Sequence, residues 1–290
     1  RIADRIAPGG VTADALRAAP VSEIFAAYDV APGANDWRPP RVIEDGVVLP
    51  EGGLLAGMTA ISGDLPLIVG TNRDETKLFN LLDDELVGWR LGLLPYARDP
   101  AFYDAVSLYG SRAWRARTVD EVANVLTSAG NERLWAYRFD WDEATSSFLA
   151  DFQLLFGAAH ALEIPFIFGD FAFLGSADRW VFTDENEAER VALSAQMMAQ
   201  WANFARGGAP GDAGGVEWTP WRVGAPLSMV FDAARAGGAR MEEIREDPAA
   251  IAADIAADPR LASREKACRA MRSARNWIPD IDELVGIDCG

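Results

Sequence analysis

The stretch LPLIVGTNRDETKLF, residues 65–79, decides the fold class of this chain. Its first six residues form a continuous apolar run of strand length, bounded by Asp64 and Gly70. Such a run suits an interior strand of a parallel sheet that is covered on both faces. A polar loop and the start of a helix follow it directly. Because ligands and catalytic groups of open α/β sheets gather at the carboxyl ends of strands, the sequence predicts an α/β fold with a functional site after this strand.

The rest of the chain supplies further strands and helices for such a fold. Two strands are predicted at residues 133–140, which are rich in aromatic side chains, and at residues 229–232. Residues 184–206 are predicted to form an amphipathic helix that ends at Gly207 and Gly208. The side chains expected to line one side of this helix are Val191, Met197, Met198, Trp201 and Phe204.

Proline and glycine residues divide the remaining segments. Two short helices hinged at Pro20 are predicted within residues 11–30, and a loop at residues 31–40 precedes an extended piece, residues 41–49, with a turn at Asp45-Gly46. Residues 80–130 are predicted to be mainly helical, with turns at Pro95 and Asp99-Pro100, and residues 141–147 form a polar connection. Residues 247–277 are predicted to be helical, with breaks at Pro248 and Pro259.

Composition excludes several classes of protein. The chain has 290 residues, of which 50% are hydrophobic, so it can bury a large core. A formal charge of −17 repels phosphate backbones, and no run of Lys and Arg forms a basic face, so nucleic-acid binding is not expected. The longest apolar segment, residues 152–175, is broken by polar residues and proline, so we expect core and no membrane span there.

Cysteine and histidine are too scarce for the usual metal sites. The single histidine argues against a His-based metal site, because such sites usually recruit several, and no cofactor is expected. Cys268 and Cys289 match no zinc or redox spacing, and they could form one bridge or remain two ordinary thiols.

Two residues stand out as candidates for chemistry. Glu75 lies at the end of the first predicted strand and its loop, and His160 follows small residues at the head of an apolar segment. A histidine in such surroundings is most often neutral and hydrogen-bonded within a core, and an acidic loop residue is usually solvated or caps a helix. Asp74 could equally be such an N-cap.

Motif context favours the catalytic interpretation of both residues. The segments PLIVGTNRDETKLF, FGAAHALEIPFIFGD and WANFARGGAPG followed by VEWTPW occur in that order. Together with IEDGVVLP before them and SMVFD after them, they resemble the type-B carboxylesterase family of the α/β-hydrolase fold, over roughly residues 10–235. The resemblance implies that Glu75 is the acidic member of a catalytic triad and that His160 is its histidine. Thr76 replaces the glycine usually found after the acid.

The roles implied by the resemblance follow from the chemistry of ester hydrolysis. A serine hydroxyl becomes a good nucleophile when a neighbouring imidazole takes its proton, and the imidazole later returns a proton to the leaving alcohol. His160 would do both. Glu75 would fix the tautomer of the imidazole and stabilise its protonated form. The substrate implied is a small-molecule carboxylic ester.

The family's nucleophile is missing from the sequence. That serine sits in a G-x-S-x-G turn between a strand and a helix, and no serine of this chain has glycine at both required positions. We therefore expect residues 1–290 to be the carboxyl-terminal part of one α/β-hydrolase domain. The serine would come from an amino-terminal fragment of the same enzyme.

Two alternatives remain open at this point. A cholinesterase-like domain that has lost catalysis could serve in binding or adhesion, although the presence of both Glu75 and His160 speaks against it. A self-contained α/β enzyme could instead use another serine or an aspartate as its nucleophile. The tryptophans Trp201, Trp218 and Trp221 are most simply packing residues, and the acidic pairs Asp83-Asp84, Glu242-Glu243 and Asp280 with Asp282 are most simply solvated.

Overall fold

A computed structural model of the chain describes residues 12–28, 44–147 and 149–289, together with Ile6 and Gly10. It divides into two compact units, Arg1–Gly53 and Leu54–Gly290, and each is described by itself. The loop predicted at residues 31–40 lies outside the described residues.

The first unit contains two short helices, α1 (Ala13–Ala18) and α2 (Val21–Tyr28), on either side of Pro20, which confirms the prediction for this segment. The predicted extended piece is wrong for residues 44–49. There the Asp45 carboxylate accepts the N–H groups of the residues two, three and four positions later at 2.9, 2.7 and 3.2 Å. A short polar side chain that satisfies three backbone donors favours a turn over a strand, and the turn predicted at Asp45-Gly46 is confirmed.

A four-stranded sheet forms the centre of the second unit. Its strands are, in order across the sheet, β1 (Leu67–Asn72), β4 (Leu134–Phe139), β7 (Leu227–Phe231) and β8 (Arg240–Glu243). The first three are parallel, and β8 is antiparallel to β7. The strands predicted at residues 65–70, 133–140 and 229–232 are thereby confirmed within a few residues. The other described strands of the unit are β2 (Val87–Arg90), β3 (Leu94–Ala97), β5 (Asp212–Ala213) and β6 (Val216–Glu217).

In the described part of the chain, strand β1 lies at an edge of the sheet, although its apolar run predicts an interior strand. Among the described residues it pairs only with β4, in parallel register from Leu67 with Leu134 to Asn72 with Phe139. Its residues as far as Gly70 are half-buried, and only its last two are fully buried. An apolar strand is expected to be buried on both faces, but its composition does not identify the chain segment that buries it.

Helices flank this sheet. The described helices of the second unit are α3 (Gly53–Ile61), α4 (Lys77–Asn80), α5 (Pro100–Arg115), α6 (Glu121–Ser128), α7 (Phe152–Phe156), α8 (Glu163–Phe168), α9 (Asp178–Val181), α10 (Glu187–Gly207), α11 (Pro248–Ala257) and α12 (Arg264–Arg275), with a π-helical turn, Ala116–Asp120, between α5 and α6.

The prediction of helix with a turn at Pro95 is wrong for residues 87–97, where β2 and β3 form an antiparallel hairpin. Pro95 lies inside β3, opposite Trp89. The chain reverses instead at Leu91 and Gly92, which both have positive φ, 52° and 69°. Leucine rarely adopts this backbone conformation, so the usual Asn or Asp signal of a tight turn is absent from the sequence.

Prolines begin two of the helices. Pro100 is the first residue of α5, after the N-cap Asp99, and Pro248 is the first residue of α11, after the N-cap Asp247. The break predicted at Pro248 is therefore a helix start, because proline has no N–H to lose at this position. The break predicted at Pro259 is confirmed, since a short 3₁₀ turn there separates α11 from α12.

The side of α10 that faces the core differs from the prediction. Val191 and Met198 are 50% and 42% exposed, whereas Met197 is fully buried. The buried side is rich in polar residues; Ser194, for example, donates to the Phe166 carbonyl at 2.8 Å. The buried residues of α10 are Arg190, Leu193, Ser194, Met197 and Gln200. Glycine at position 208 ends the helix in the left-handed conformation, as predicted.

The segment at residues 152–175 supplies core residues but is not buried throughout: Phe166 is fully buried, whereas Phe168 is 72% exposed. Trp218 and Trp221 are buried in the core, as predicted. Cys268 and Cys289 form a disulfide bond, which decides between the two states that the sequence left open. No helix in the described part of the chain is long and apolar enough to cross a membrane.

Candidate active site

Two loops meet at the carboxyl end of the parallel strands. The acid loop, residues 73–76, continues from β1 into α4, and the histidine loop, residues 157–162, connects α7 to α8. The Arg73 N–H donates to the Phe139 carbonyl at 2.8 Å, which extends the pairing of β1 with β4 into the acid loop. The site predicted after the first strand is therefore formed by two loops that are distant in the sequence.

The two residues predicted to carry catalysis lie in contact. Nδ1 of His160 is 2.6 Å from Oε2 of Glu75, although the residues are 85 positions apart. Oε1 of Glu75 accepts the backbone N–H of Asn72 at 2.8 Å, so both carboxylate oxygens have a partner. Glu75 is only 5% exposed, whereas the side chain of His160 is 41% exposed. A buried, fixed carboxylate thus orients an imidazole that solvent can reach.

The pKa of His160 is raised above its ordinary value of 6.5. The hydrogen bond from the ring to Glu75 is the main cause; partial burial acts in the opposite direction, and the negative charges of Glu75 and Glu163 raise the pKa further. Each of these carboxylates favours the protonated imidazole. His160 therefore binds a proton more readily than an imidazole in water does.

Asp74 joins the two loops by reciprocal hydrogen bonds. Its N–H donates to the Ala158 carbonyl at 3.0 Å, and its carboxylate accepts the Ala158 N–H at 3.0 Å. Arg73 and Lys77 form ion pairs with the same carboxylate at 2.9 and 3.2 Å. Although burial alone raises the pKa of Asp74, these two positive charges hold it below the usual range. Asp74 is thus not the N-cap that was considered for it, because its side chain bonds to the other loop.

Glycine is required at position 157, where the histidine loop passes closest to Asp74. Gly157 has φ 50° and ψ −148°, a conformation that is essentially restricted to glycine. A Cβ atom there would lie 2.4 Å from Oδ2 of Asp74. The residue after the histidine, Ala161, also has a positive φ of 69°. The loop that carries His160 is therefore held in an unusual backbone conformation by its partner loop.

A second connection between the loops runs through Asn72. Its Nδ2 donates at 2.6 Å both to the Ala159 carbonyl and to the Glu163 carboxylate. Burial is the main cause of a raised pKa at Glu163, which the nearby charge of Glu75 raises further, while the bond from Asn72 acts in the opposite direction. Asn72, Asp74, Gly157 and Glu163 all fall in the quoted motifs, but a sequence cannot tell loop-joining residues from residues that act on a substrate.

Thr76, the departure from the family motif, is held by helix α5. Its N–H donates to Oγ of Ser111 at 3.1 Å, and its hydroxyl donates to the Ser107 carbonyl at 2.8 Å. Gly110 leaves room for it, since a Cβ atom at Gly110 would lie 2.9 Å from Cγ2 of Thr76. The threonine is therefore accommodated beside Glu75 by small and polar residues of α5.

The described residues include no serine hydroxyl among the hydrogen-bond partners of His160, and Nε2 of its ring has no protein partner there. One member of each acidic pair that was expected to be solvated forms an ion pair with an arginine instead: Asp83 with Arg269, Glu242 with Arg240 and Asp282 with Arg275. In the ranges that the structure covers, no group of three or more His, Cys, Asp or Glu residues is arranged to hold a metal ion.

The chain is similar to proteins that are named as esterases. The para-nitrobenzyl esterase of Bacillus subtilis (strain 168) is 26% identical over 241 residues, which are 76% of this chain and 42% of that protein. The carboxylesterase EST55 of Geobacillus stearothermophilus has been solved at pH 6.8 and pH 6.2; the two structures give TM-scores of 0.54 and 0.58 at 24% and 23% identity. Each match covers 84% of this chain, and 50% and 51% of the respective structures.

These relatives confirm the predicted α/β-hydrolase fold, and this chain spans about half of their length. The model of the family described as "Carboxylesterase family" matches residues 102–237, a range that includes His160. The predicted resemblance to the type-B carboxylesterases is therefore confirmed by a match of residues 102–237 to the carboxylesterase family model.

Proposed function

We propose that the protein hydrolyses carboxylic esters through a serine acyl-enzyme, with His160 as general acid and base and Glu75 as the carboxylate that orients it. The observation that carries the proposal is the 2.6 Å contact between Nδ1 of a half-exposed imidazole and a buried carboxylate. The similarity to a para-nitrobenzyl esterase and to a carboxylesterase supports the same reaction class.

The contact to Glu75 assigns the two ring nitrogens different tasks. Nδ1–H donates to the carboxylate, so Nε2 is free to accept the proton of a serine hydroxyl as its oxygen attacks the ester carbonyl. The imidazolium then passes this proton to the leaving alcohol, and an acyl-serine ester remains. Water attacks the acyl group with the same base, which releases the carboxylic acid and restores the serine.

The serine in this proposal comes from an amino-terminal segment, so that residues 1–290 are the carboxyl-terminal part of one α/β-hydrolase domain. Three observations support this. No serine of the chain has the G-x-S-x-G setting, and the chain spans 42% of the Bacillus relative. Strand β1 pairs on one side only among the described residues, so a further strand can add to its other side.

The test is reconstitution of ester hydrolysis. The 290-residue chain is mixed or co-expressed with the segment that precedes it, and cleavage of a para-nitrobenzyl ester is measured. We expect activity that His160→Ala abolishes and that Glu75→Gln reduces strongly. Glu185→Gln is the matched control, because Glu185 is an exposed glutamate away from the site.

Labelling with a fluorophosphonate, which reacts with activated serines, separates the alternatives. We expect the label on the amino-terminal segment and its loss in His160→Ala. A folded but unlabelled and inactive assembly would favour a binding or adhesion role instead. Activity of the isolated chain that survives His160→Ala would contradict the assignment.

A further inference from the structure

Two aromatic side chains, Trp114 and Phe79, pack against the imidazole of His160 and are called the aromatic wall below. The ring of Trp114, on α5, has its centroid 5.1 Å from that of His160, at an interplanar angle of 41°. The ring of Phe79, on α4, lies 5.5 Å away at 37°. Both rings lie within the distance at which the face of an aromatic ring attracts a cation. The wall therefore contacts the group whose protonation the proposed reaction requires.

The carboxyl-terminal segment, residues 264–289, packs against the Trp114 ring of this aromatic wall. Trp277, just after α12, has its ring centroid 4.3 Å from that of Trp114. The segment is closed by the disulfide bond between Cys268 and Cys289. It lies outside the residues that the carboxylesterase family model matches, so the family motifs do not account for it.

Helix α12 also comes close to Thr76, the residue that follows Glu75 in the sequence. A Cβ atom at Gly110 would lie 2.3 Å from Oγ of Ser273, on α12, and 2.9 Å from Cγ2 of Thr76. Close packing at a glycine leaves little space for relative movement of the elements that meet there. The same segment thus bears on the surroundings of both His160 and Glu75.

We propose that Trp114, backed by Trp277, is a positioning residue for His160, and that the disulfide-closed segment 264–289 is therefore part of the site. The positioning role is inferred from the geometry of these rings, whereas its consequence for ester hydrolysis rests on the function proposed above. The wall restricts the ring to the orientation in which Nδ1 meets Glu75, and it stabilises the protonated ring through the faces of its aromatic side chains. The charged groups that act on the ring are Glu75 and Glu163.

The single histidine of the chain makes a direct test possible. The 290-residue chain is labelled with [¹³C]histidine, and the resonance of the ring is followed by NMR as the pH is raised. The signal stays assigned when an unlabelled amino-terminal segment is added. Trp114→Leu keeps apolar bulk but removes the ring face, Trp114→Phe keeps a ring, and Trp277→Leu removes the support. Trp89→Leu, at an exposed residue of β2, is the matched control.

We expect Trp114→Leu to lower the pKa of His160 by about 0.5 unit and to shift its ring protons, because a cation–π contact and a ring current are lost. Trp114→Phe should retain part of both effects, Trp277→Leu should produce a smaller shift in the same direction, and Trp89→Leu should change neither. If Trp114→Leu does not fold, Trp114→Phe still reports the contact through its ring current.

An unchanged or increased pKa in folded Trp114→Leu would overturn the proposal, and so would a Trp277→Leu spectrum identical to that of the unmodified chain. None of these readings needs enzymatic activity. An inactive protein with the expected NMR shifts would therefore contradict the proposed function and leave the positioning role supported.

Discussion

The substitution Gly157→Ala tests whether the two loops fix the geometry of the His160–Glu75 pair. Gly157 has φ 50° and ψ −148°, and the added methyl group would lie 2.4 Å from Oδ2 and 2.8 Å from Cγ of Asp74. The carboxylate of Asp74 cannot simply rotate away, because it accepts from the Ala158 N–H and pairs with two cations. Either the histidine loop must move or these bonds must break.

The cost has two parts. A non-glycine residue in this backbone region costs about 1–3 kcal/mol. Forcing a methyl group into a packed site costs about 1–3 kcal/mol more. We therefore expect Gly157→Ala to lower the free energy of unfolding by about 4 kcal/mol, a large part of the ~5–15 kcal/mol that stabilises a typical domain. Because the histidine loop must shift, we also expect the pKa of His160 to fall toward 6.5 as its bond to Glu75 lengthens.

Urea unfolding followed by circular dichroism measures the first effect, and an NMR titration of the single histidine measures the second. Gly130→Ala is the matched control, since Gly130 also has a positive φ, 98°, but no atom lies within 4 Å of the added methyl group. The Gly130→Ala variant therefore has the backbone cost of alanine at a positive φ but not the steric clash with Asp74. Equal losses of stability in the two variants, or an unchanged His160 titration in Gly157→Ala, would refute the reasoning.

Further predictions concern the residues around this pair. The rate of ester hydrolysis in the reconstituted enzyme should rise with pH through a midpoint above 6.5, because the base must be neutral and the pKa of His160 is raised; a midpoint below 6.5 would contradict this. Glu75→Gln should lower the midpoint and reduce kcat on the order of 10⁴-fold, as seen when a triad carboxylate becomes an amide, and an equally active variant would exclude Glu75 from the triad. Thr76→Val removes a hydroxyl that donates to the Ser107 carbonyl, which keeps the Ser111 hydroxyl as a donor, and should cost about 0.5–1.5 kcal/mol in urea unfolding, whereas Thr76→Ser should cost less; the reverse order would count against this contact. Reduction of the Cys268–Cys289 bridge, which closes a separation of 21 residues, should cost about 3 kcal/mol of stability, measured by unfolding with and without reductant, and no change would mean that the bridge does not constrain the unfolded chain.

The parts of the fold that the sequence predicted well have local causes. An apolar run ending in a polar loop identified β1, and a glycine pair identified the end of α10. The sequence does not predict the hairpin at residues 87–97, because its turn places a leucine at φ 52°, where asparagine, aspartate or glycine is usual. The buried side of α10 was misjudged because polar residues such as Arg190 and Gln200 are buried there, while Val191 is exposed.

The site was predictable in its two principal residues but not in its supports. The motifs select Glu75 and His160, and the fold brings these two side chains into contact; their catalytic roles belong to the proposed function. Asp74, by contrast, looked like a helix cap, because only the folded chain brings Ala158 within 3.0 Å of it. Nothing in the sequence marks Trp114 or Trp277 as part of the site, because a tryptophan on a helix is usually a packing residue. Their 4.3 Å contact joins separate elements that only the fold brings together.

The reciprocal bonds between Asp74 and Ala158 also bear on when the site forms during folding. They join residues 84 positions apart, and the entropy of closing so long a loop must be lost before either bond contributes. The elements within the intervening chain, such as the β2–β3 hairpin and helix α5, make local contacts and can form first. The His160–Glu75 pair should therefore be among the last contacts to form on folding. The amide hydrogens of Asp74 and Ala158 would then exchange with solvent together, as one cooperative opening unit.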